Sequence, residues 1–526
     1  MLSAMPLFLA MIAAIILLKM LADKLRIAYP ILIVVAGLLI SFIPGLPIVH
    51  VNPNLIFFIF LPPLLFEASW SISFKEMKKW WRMIGSFAFL VVLFSAFSVA
   101  VAANYFIPGC SLALGFLLGG IVSPPDAVSA GAITKFVKIP RSTATILEGE
   151  SLLNDASSLI IFRFAMAAVA TGQFIWQDAA LQFTWMVAGG VGIGLLIAFV
   201  LVQAHKRLPM DTPSHIALTL IGPYLMYWLA EEAHSSGVLA VVSGGLFMSN
   251  RRLLFLNSSS RIKSYSVWES LVFMLNGGVF MIIGLELPEI VEGLRAKGVS
   301  LRTAIGYSLI VTGVLIVARI ISSYVALFAT LLFRPGMAPH VDSRRRRLLM
   351  PLLLGWTGMR GVVSLAAALA IPVTLVDGSD FPYRNLILFI TFVVILLTLV
   401  VQGLTLPYLI KRSGLFNYYS QEVEDNDAEK VKQGLRQHTI GFLRNRFEQE
   451  MGDQKSVEAL LQRWEEKLSA SNDDGANEKA KAVFLEMLES QREYLAGLNK
   501  DKSIDEEAIR TQLYLIDLEE ERIRTQ

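Results

Sequence analysis

Glu148-Gly-Glu-Ser-Leu-Leu-Asn-Asp155 places three carboxylates and an asparagine in a stretch that continues as an apolar run through Ala170. An acidic side chain at mid-membrane is unfavourable by about 2.5–3.5 kcal/mol on insertion scales. Several in one segment call for a function, and the default is passage of something polar. Glu150, Ser151, Asn154 and Asp155 fall at i, i+1, i+4 and i+5, which share one face of an α-helix. That face offers oxygen ligands to an alkali cation, while Leu152 and Leu153 on the other side pack. Burial disfavours the charged form of a carboxylate, so Asp155 is a group that can trade a proton for a cation. The competing reading is a structural ion-pair network between helices. Glu148 reads either as a helix-start charge or as part of an access funnel.

Two interruptions accompany this face. Ser123-Pro-Pro-Asp-Ala127 breaks one apolar segment, because proline lacks an N–H and clashes with the carbonyl four residues back. Pro124 and Pro125 are expected to free the carbonyls of Gly120 and Ile121. Broken backbone at membrane depth persists only inside protein or along a watery cavity. Freed carbonyls, that of Pro125 among them, and the charge of Asp126 then suit a cation; alternatively Asp126 is the N-cap of the second half-helix. Gly355-Trp-Thr-Gly-Met-Arg-Gly361 weakens another segment around Arg360, and Arg319 is a further intramembrane base. A buried charge needs a partner, so both arginines are expected to neutralise and orient acids, with Asp126 and Glu150 available and the pairing left open. Leu61-Pro-Pro-Leu-Leu-Phe-Glu67 adds a kink and an acid that lines an access funnel or pairs structurally. Glu231, Glu232 and His234 read as a solvated helix end.

The elements that must position these residues are membrane helices. Hydrophobic residues make up 55% of the 526 and charged residues 17%, against about 25% charged in soluble domains. Apolar segments suited to roughly 30 Å of hydrocarbon fall near 5–22, 28–43, 54–70, 83–106, 111–133, 146–170, 183–203, 215–231, 236–249, 266–286, 303–333, 350–374 and 385–410, thirteen in all. Basic residues concentrate after odd-numbered spans: Lys24 and Arg26, Lys75 to Arg82, Lys135 to Arg141, Lys206 and Arg207, Arg251 to Lys263, and Arg334 to Arg347. Loops after even spans carry only Arg295, Lys297, Arg302 and Arg384. Positive loops face the cytoplasm, which predicts an external N-terminus and an internal C-terminus. The fifth and twelfth spans then cross in opposite senses, and interrupted helices in two inverted halves point to a midplane transport site.

The first apolar segment lacks a basic leader and a small-residue cleavage site, so it is not expected to be a cleaved signal. A single cysteine, Cys110, excludes an intrachain disulfide framework. No zinc spacing, phosphate loop or nucleophile elbow occurs, and no cofactor is expected. The net charge of +3 divides into about +12 over residues 1–412 and −9 over 413–526. This marks a composition boundary and gives no sign of nucleic-acid binding. The division predicts a transmembrane domain over 1–412 and a cytosolic helical regulatory tail over 413–526. In the tail, Phe484, Met487, Leu488 and Leu495 recur at helical intervals, as do Ile509, Leu513, Ile516 and Ile523. Asn472 to Ala476 reads as an interhelical turn, and Ser503-Ile-Asp-Glu506 as a capping box.

These residues resemble the monovalent cation:proton antiporter family of sodium/hydrogen exchangers, in its bacterial NhaP-like branch. The resemblance is carried by Phe57 to Glu67, Asp126, Glu150-Ser-Leu-Leu-Asn-Asp155, His234-Ser-Ser-Gly-Val-Leu-Ala240, Leu275 to Gly284 and Gly358-Met-Arg-Gly361. It implies an all-α polytopic membrane protein of about thirteen helices, with inverted repeats, crossed discontinuous fifth and twelfth helices, and a homodimeric state in the inner cell membrane. It implies that Asp155 alternately holds a proton or Na+, that Glu150 and Ser151 complete the Na+ site, and that Asn154 hydrogen-bonds within it. Asn-Asp, rather than two aspartates, implies electroneutral one-for-one exchange. The family commonly shows Thr-Asp-Pro at the fifth-helix break, whereas this chain has Pro125-Asp126-Ala127, so a threonine hydroxyl is missing there. Glu67 stands where many animal relatives carry aspartate. K+/H+ exchange is the alternative within the class. Outside it stand a membrane sensor with structural buried acids and an intramembrane hydrolase, the latter lacking any nucleophile–base set.

Overall fold

The computed structural model describes residues 5–25, 27–43, 53–126, 141–172, 176–333, 344–375, 378–413, 421–446, 474–501 and 504–525. The regular structure among these residues is helical, with one isolated β-bridge between Thr374 and Asp380 and no strand. It divides into two compact units.

The first unit comprises residues 1–207, 218–251 and 268–417. Its helices are α1 (Met5–Leu25), α2 (Tyr29–Ser41), α3 (Pro53–Ser71), α4 (Phe74–Phe106), α5 (Leu112–Val122), α6 (Arg141–Thr171), α7 (Trp176–Arg207), α8 (Thr212–Glu232), α9 (Gly237–Ser249), α10 (Ser258–Leu285), α11 (Leu287–Ala296), α12 (Leu301–Phe333), α13 (Arg344–Trp356), α14 (Val362–Leu369) and α15 (Arg384–Arg412). Helices α8 and α10 each begin in the second unit. Among the described residues, six stretches are long and apolar enough to cross a bilayer: 74–106, 144–171, 179–207, 258–296, 301–326 and 384–412. Four shorter apolar helices accompany them, among them 112–122 and 237–249. The bulk of the helix surface is apolar, so helix association relies on close packing and small residues. Gly115 and Gly119 on α5 illustrate this: a Cβ at either would collide with the backbone of Ala100 or Ala96 on α4. Turns of π-helix lie within α4 (Phe87–Val91) and α15 (Thr398–Gln402).

The prolines act differently in different places. Pro62 and Pro63 lie inside α3 without ending it. Pro124 and Pro125 follow the end of α5, where Ser123 donates its N–H back to Gly119 and the helix stops. Residues 127–140, and with them Ala127 and any second half-helix, lie outside the described residues.

The second unit comprises residues 208–217, 252–267 and 418–526. Its main helices are α16 (Gln421–Arg446), α17 (Asp474–Leu498) and α18 (Glu506–Thr525). The eight apolar positions named above on α17 and α18 are all buried in its core, with Val431, Leu435 and Leu443 of α16. Asn472 lies outside the described residues, and Asp474 to Ala476 form the first turn of α17 and not a loop. An aspartate there suits the positive end of a helix dipole, so the same composition serves both purposes. Ser503 also lies outside the described residues; at the start of α18 it is Asp505 whose Oδ1 accepts the N–H of Glu507 at 3.1 Å.

Candidate functional site

Within the first unit the two interruptions meet. The N–H of Asp126 donates to the carbonyl of Met359 at 2.7 Å, joining the break after α5 to the break between α13 and α14. Gly361 lies against the Asp126 carboxyl group so closely that any Cβ would overlap it. In return, Arg360 reaches back across the first break. Its Nε donates to the carbonyl of Val122 at 2.8 Å and its Nη2 to that of Ser123 at 3.3 Å, with Nη1 on its own neighbour Gly358. Its backbone N–H donates to Thr398 Oγ1 at 3.1 Å, in the π-turn of α15. A helix end leaves its last carbonyls unsatisfied, and a fully buried guanidinium supplies the donors.

This corrects one expectation. Arg360 contacts no carboxylate among the described residues and is a cap for a broken helix, because its five N–H groups match converging carbonyls as well as they match an acid. The carbonyls of Val122, Ser123 and Pro125 receive side-chain donors from Arg360, Asn154 and Ser151, whereas Pro124 and Pro125, which lack N–H groups, supply none to Gly120 and Ile121.

The predicted polar face of α6 looks toward this crossing. Asn154 Nδ2 donates to the carbonyl of Pro125 at 3.1 Å, and Ser151 Oγ to the same oxygen at 3.4 Å. Glu150 is held from another side by Arg319 of α12 through two bonds of 2.7 and 3.1 Å. Both side chains of that pair are almost fully buried, at 1% and 3% exposed. The pairing left open by the sequence is therefore Arg319 with Glu150, which engages both oxygens expected to help ligate Na+. Asp155 is buried, and its carboxylate has no hydrogen-bond or ion-pair partner among the described residues. Beside it, the buried Asn154 Oδ1 is also without a donor, as is the hydroxyl of Ser123.

The remaining predicted residues are more peripheral. Glu148 is exposed, two residues before Glu150. Glu67 is half-buried on α3, past the two prolines. Glu231, read as solvated, instead bonds Arg163 of α6 at 2.6 Å through Oε2 and the N–H of Gly237 at 3.1 Å through Oε1. Arg163 and Thr398 are the residues that sequence reasoning missed. The signal for Arg163 was a lone base in the apolar run Ile160 to Ala165; nothing in the sequence distinguished Thr398.

Residues 9–412 match the family described as sodium/hydrogen exchanger, transmembrane. The chain belongs to that family. An uncharacterized Na+/H+ exchanger of Mycobacterium tuberculosis (strain ATCC 25618 / H37Rv) is 30% identical over 533 residues, covering 97% of this exchanger and 94% of the relative. The sodium, potassium, lithium and rubidium/H+ antiporter of Bacillus subtilis is 34% identical over 394 residues, 73% of this chain and 58% of its own. The Na+/H+ antiporter ApNhaP of Aphanothece halophytica is 32% identical over 399 residues, 75% and 71% respectively. Among solved structures, the sodium proton antiporter MjNhaP1 of Methanocaldococcus jannaschii superposes with a TM-score of 0.62 at 18% identity, over 80% of the exchanger and 100% of that chain. The exchanger thus shares its fold.

Proposed function

We propose that the protein exchanges Na+ for H+ across the membrane, with cation and proton competing for the carboxylate of Asp155. The observation that carries this reading is the contrast on one helix face: Glu150 is neutralised by Arg319, whereas Asp155 is buried beside the crossing with no partner among the described residues. A buried carboxylate must be neutralised by a proton or a cation, and a carboxylate free of protein partners can take either. Asn154 Oδ1, Ser151 and the Pro125 carbonyl are the oxygens we assign to complete a site, with Glu150 anchoring Arg319 rather than leading the coordination. Asp126, held by Gly361 and Met359, fixes the geometry of the crossing and adds negative potential.

Around that site we infer thirteen crossings with inverted halves, an external N-terminus and a cytoplasmic C-terminus, in a homodimer of the inner cell membrane. The alternation of basic loops and the opposite sense of the two breaks support this arrangement. Residues 1–412 carry transport, and the tail over 413–526 is regulatory. With one ionisable site residue and a permanently compensated Glu150, exchange is one-for-one and electroneutral.

The test is purified protein in liposomes holding a pH-sensitive dye, challenged with Na+, Li+ and K+. Exchange is expected in the wild type and at least a hundredfold less in Asp155→Asn; an unchanged rate in that variant removes Asp155 from the mechanism. Clamping the membrane potential should leave the rate unaltered. The Bacillus subtilis relative's breadth of cations supports K+/H+ exchange as the second reading, and the ion series separates the two.

A further inference from the structure

Hydrogen bonds and close contacts tie together two sets of helices in the first unit. In one, α3, α7, α8 and α9 are tied together. Tyr224 of α8 donates to the Ile59 carbonyl of α3 at 3.2 Å, and Ser249 of α9 to that of Trp70 at 2.7 Å. Trp185 of α7 donates to the Ala233 carbonyl at 3.1 Å, while the N–H of Ser236 donates to Met186 at 3.1 Å. In the other group, α4, α5, α6, α12, α13 and α15 surround the crossing. Gly120 of α5 abuts Phe162 of α6, Gly149 of α6 abuts Ile84 of α4, and Arg319 and Arg360 supply the bonds already described.

Arg163 and Glu231 join one set to the other by charge, beside the ring contact of Phe89 on α4 with Phe183 on α7. Arg163 lies on α6 eight residues past Asp155, about 12 Å along the helix axis. With the N-terminus outside, α6 and α8 both end on the external face, so this pair lies between Asp155 and the outside. Glu231 is doubly employed: its second oxygen holds the first N–H of α9 at 3.1 Å, next to the left-handed turn at His234 (φ +52°). It therefore keeps a partner, and its place, when Arg163 departs. Exposure distinguishes the two ion pairs of α6. Arg163 and Glu231 are 41% and 31% exposed, whereas Arg319 and Glu150 are 3% and 1%. A half-exposed pair contributes little net stability, while separating a buried one is strongly unfavourable. Only the former can break in every transport cycle.

We propose that Arg163 and Glu231 form an external gate. The pair is closed in this structure and breaks when the helices around Asp155 shift against α3, α7, α8 and α9 to expose Asp155 to the outside. The proposal rests on the exchange reading, and its test keeps the two apart. In a Cys110→Ala background that exchanges normally, Arg163→Cys and Glu231→Cys are combined and bridged by a short bifunctional thiosulfonate. Bridging is expected to cut exchange at least tenfold, with recovery on reduction and no effect of the reagent on either single variant. Glu231→Gln and Arg163→Gln are each expected to change the apparent Na+ KM at the external face several-fold and leave the cytosolic-face KM unchanged. The charge swap Arg163→Glu with Glu231→Arg should restore it. A bridged protein exchanging at the unbridged rate, or equal KM changes at both faces, overturns the gate. Absence of exchange in the unbridged background would instead count against the exchange reading itself.

Discussion

Glu150 and Asp155 stand five residues apart on α6 and have opposite surroundings. The sequence marks both as costly in an apolar segment, and it marks Arg319 as a base that needs an acid. It does not say which acid, because the choice depends on how α12 packs on α6, the partners standing 169 positions apart in the chain. The same holds for Arg163, whose partner lies 68 residues away in what reads as a solvated helix end. A consequence follows for the buried pair. Glu150→Gln leaves Arg319 charged, buried and half-partnered, and breaking such a pair costs about 3–5 kcal/mol. The thermal unfolding of Glu150→Gln in detergent should fall accordingly, while the double replacement Glu150→Leu with Arg319→Met should recover a large part of the loss. Equal destabilisation in the single and double variants would mean that packing, and not charge, holds the two helices together.

At the scale of elements, the proline pair and the glycine-rich run identify both interruptions from composition alone. The carbonyls they leave behind are harder to read. A helix-breaking rule assigns orphan carbonyls by counting back four residues, but the stopping point of α5 and the direction of the chain afterwards are set by tertiary contacts. The structure hands those contacts to Arg360, Asn154 and Ser151, and fixes the second break through Thr398, which looks like an ordinary apolar-helix threonine in sequence. Gly361 is where the two breaks press on one another. Its replacement by alanine would drive a methyl group into the Asp126 carboxyl group, so the two broken chains must separate. Gly361→Ala is expected to lose exchange at least tenfold while still being inserted and purified as a folded protein; a normal rate would show that the crossing tolerates opening. Thr398→Val, which strips the acceptor from the buried Arg360 N–H, should lower stability by about 1–3 kcal/mol, read from thermal unfolding.

For the whole molecule, the change of composition at residue 413 is a true feature of the chain, but the second compact unit also contains residues 208–217 and 252–267. The second of these segments, with Arg252, Arg261 and Lys263, reads in sequence as part of a basic loop that sets topology. Arg261 also does something else: its Nε donates to Asp517 Oδ2 of α18 at 2.7 Å, and the pair is only 12% and 5% exposed. Arg492 of α17 joins the same cluster through Asp517 and Glu520, and Ser258 donates to Glu520 at 2.5 Å. Burial works against the charge on Arg492, but the neighbouring Glu520, Glu489 and Asp517 outweigh it and push its pKa up. Truncating the chain at residue 418 would remove Asp517, the acid that pairs with Arg261, so a truncated protein that fails would say as much about folding as about regulation. Asp517→Asn is the cleaner probe, because it removes one charge and keeps the shape. It should destabilise this unit by about 3–5 kcal/mol, the cost of breaking a buried pair, and speed limited proteolysis of α17 and α18. If the tail regulates, the same variant should also move the pH profile of Na+-driven proton movement in liposomes. Faster proteolysis with an unaltered profile would leave the tail a structural element, and unaltered proteolysis would show that the Arg261–Asp517 cluster does not hold the unit together.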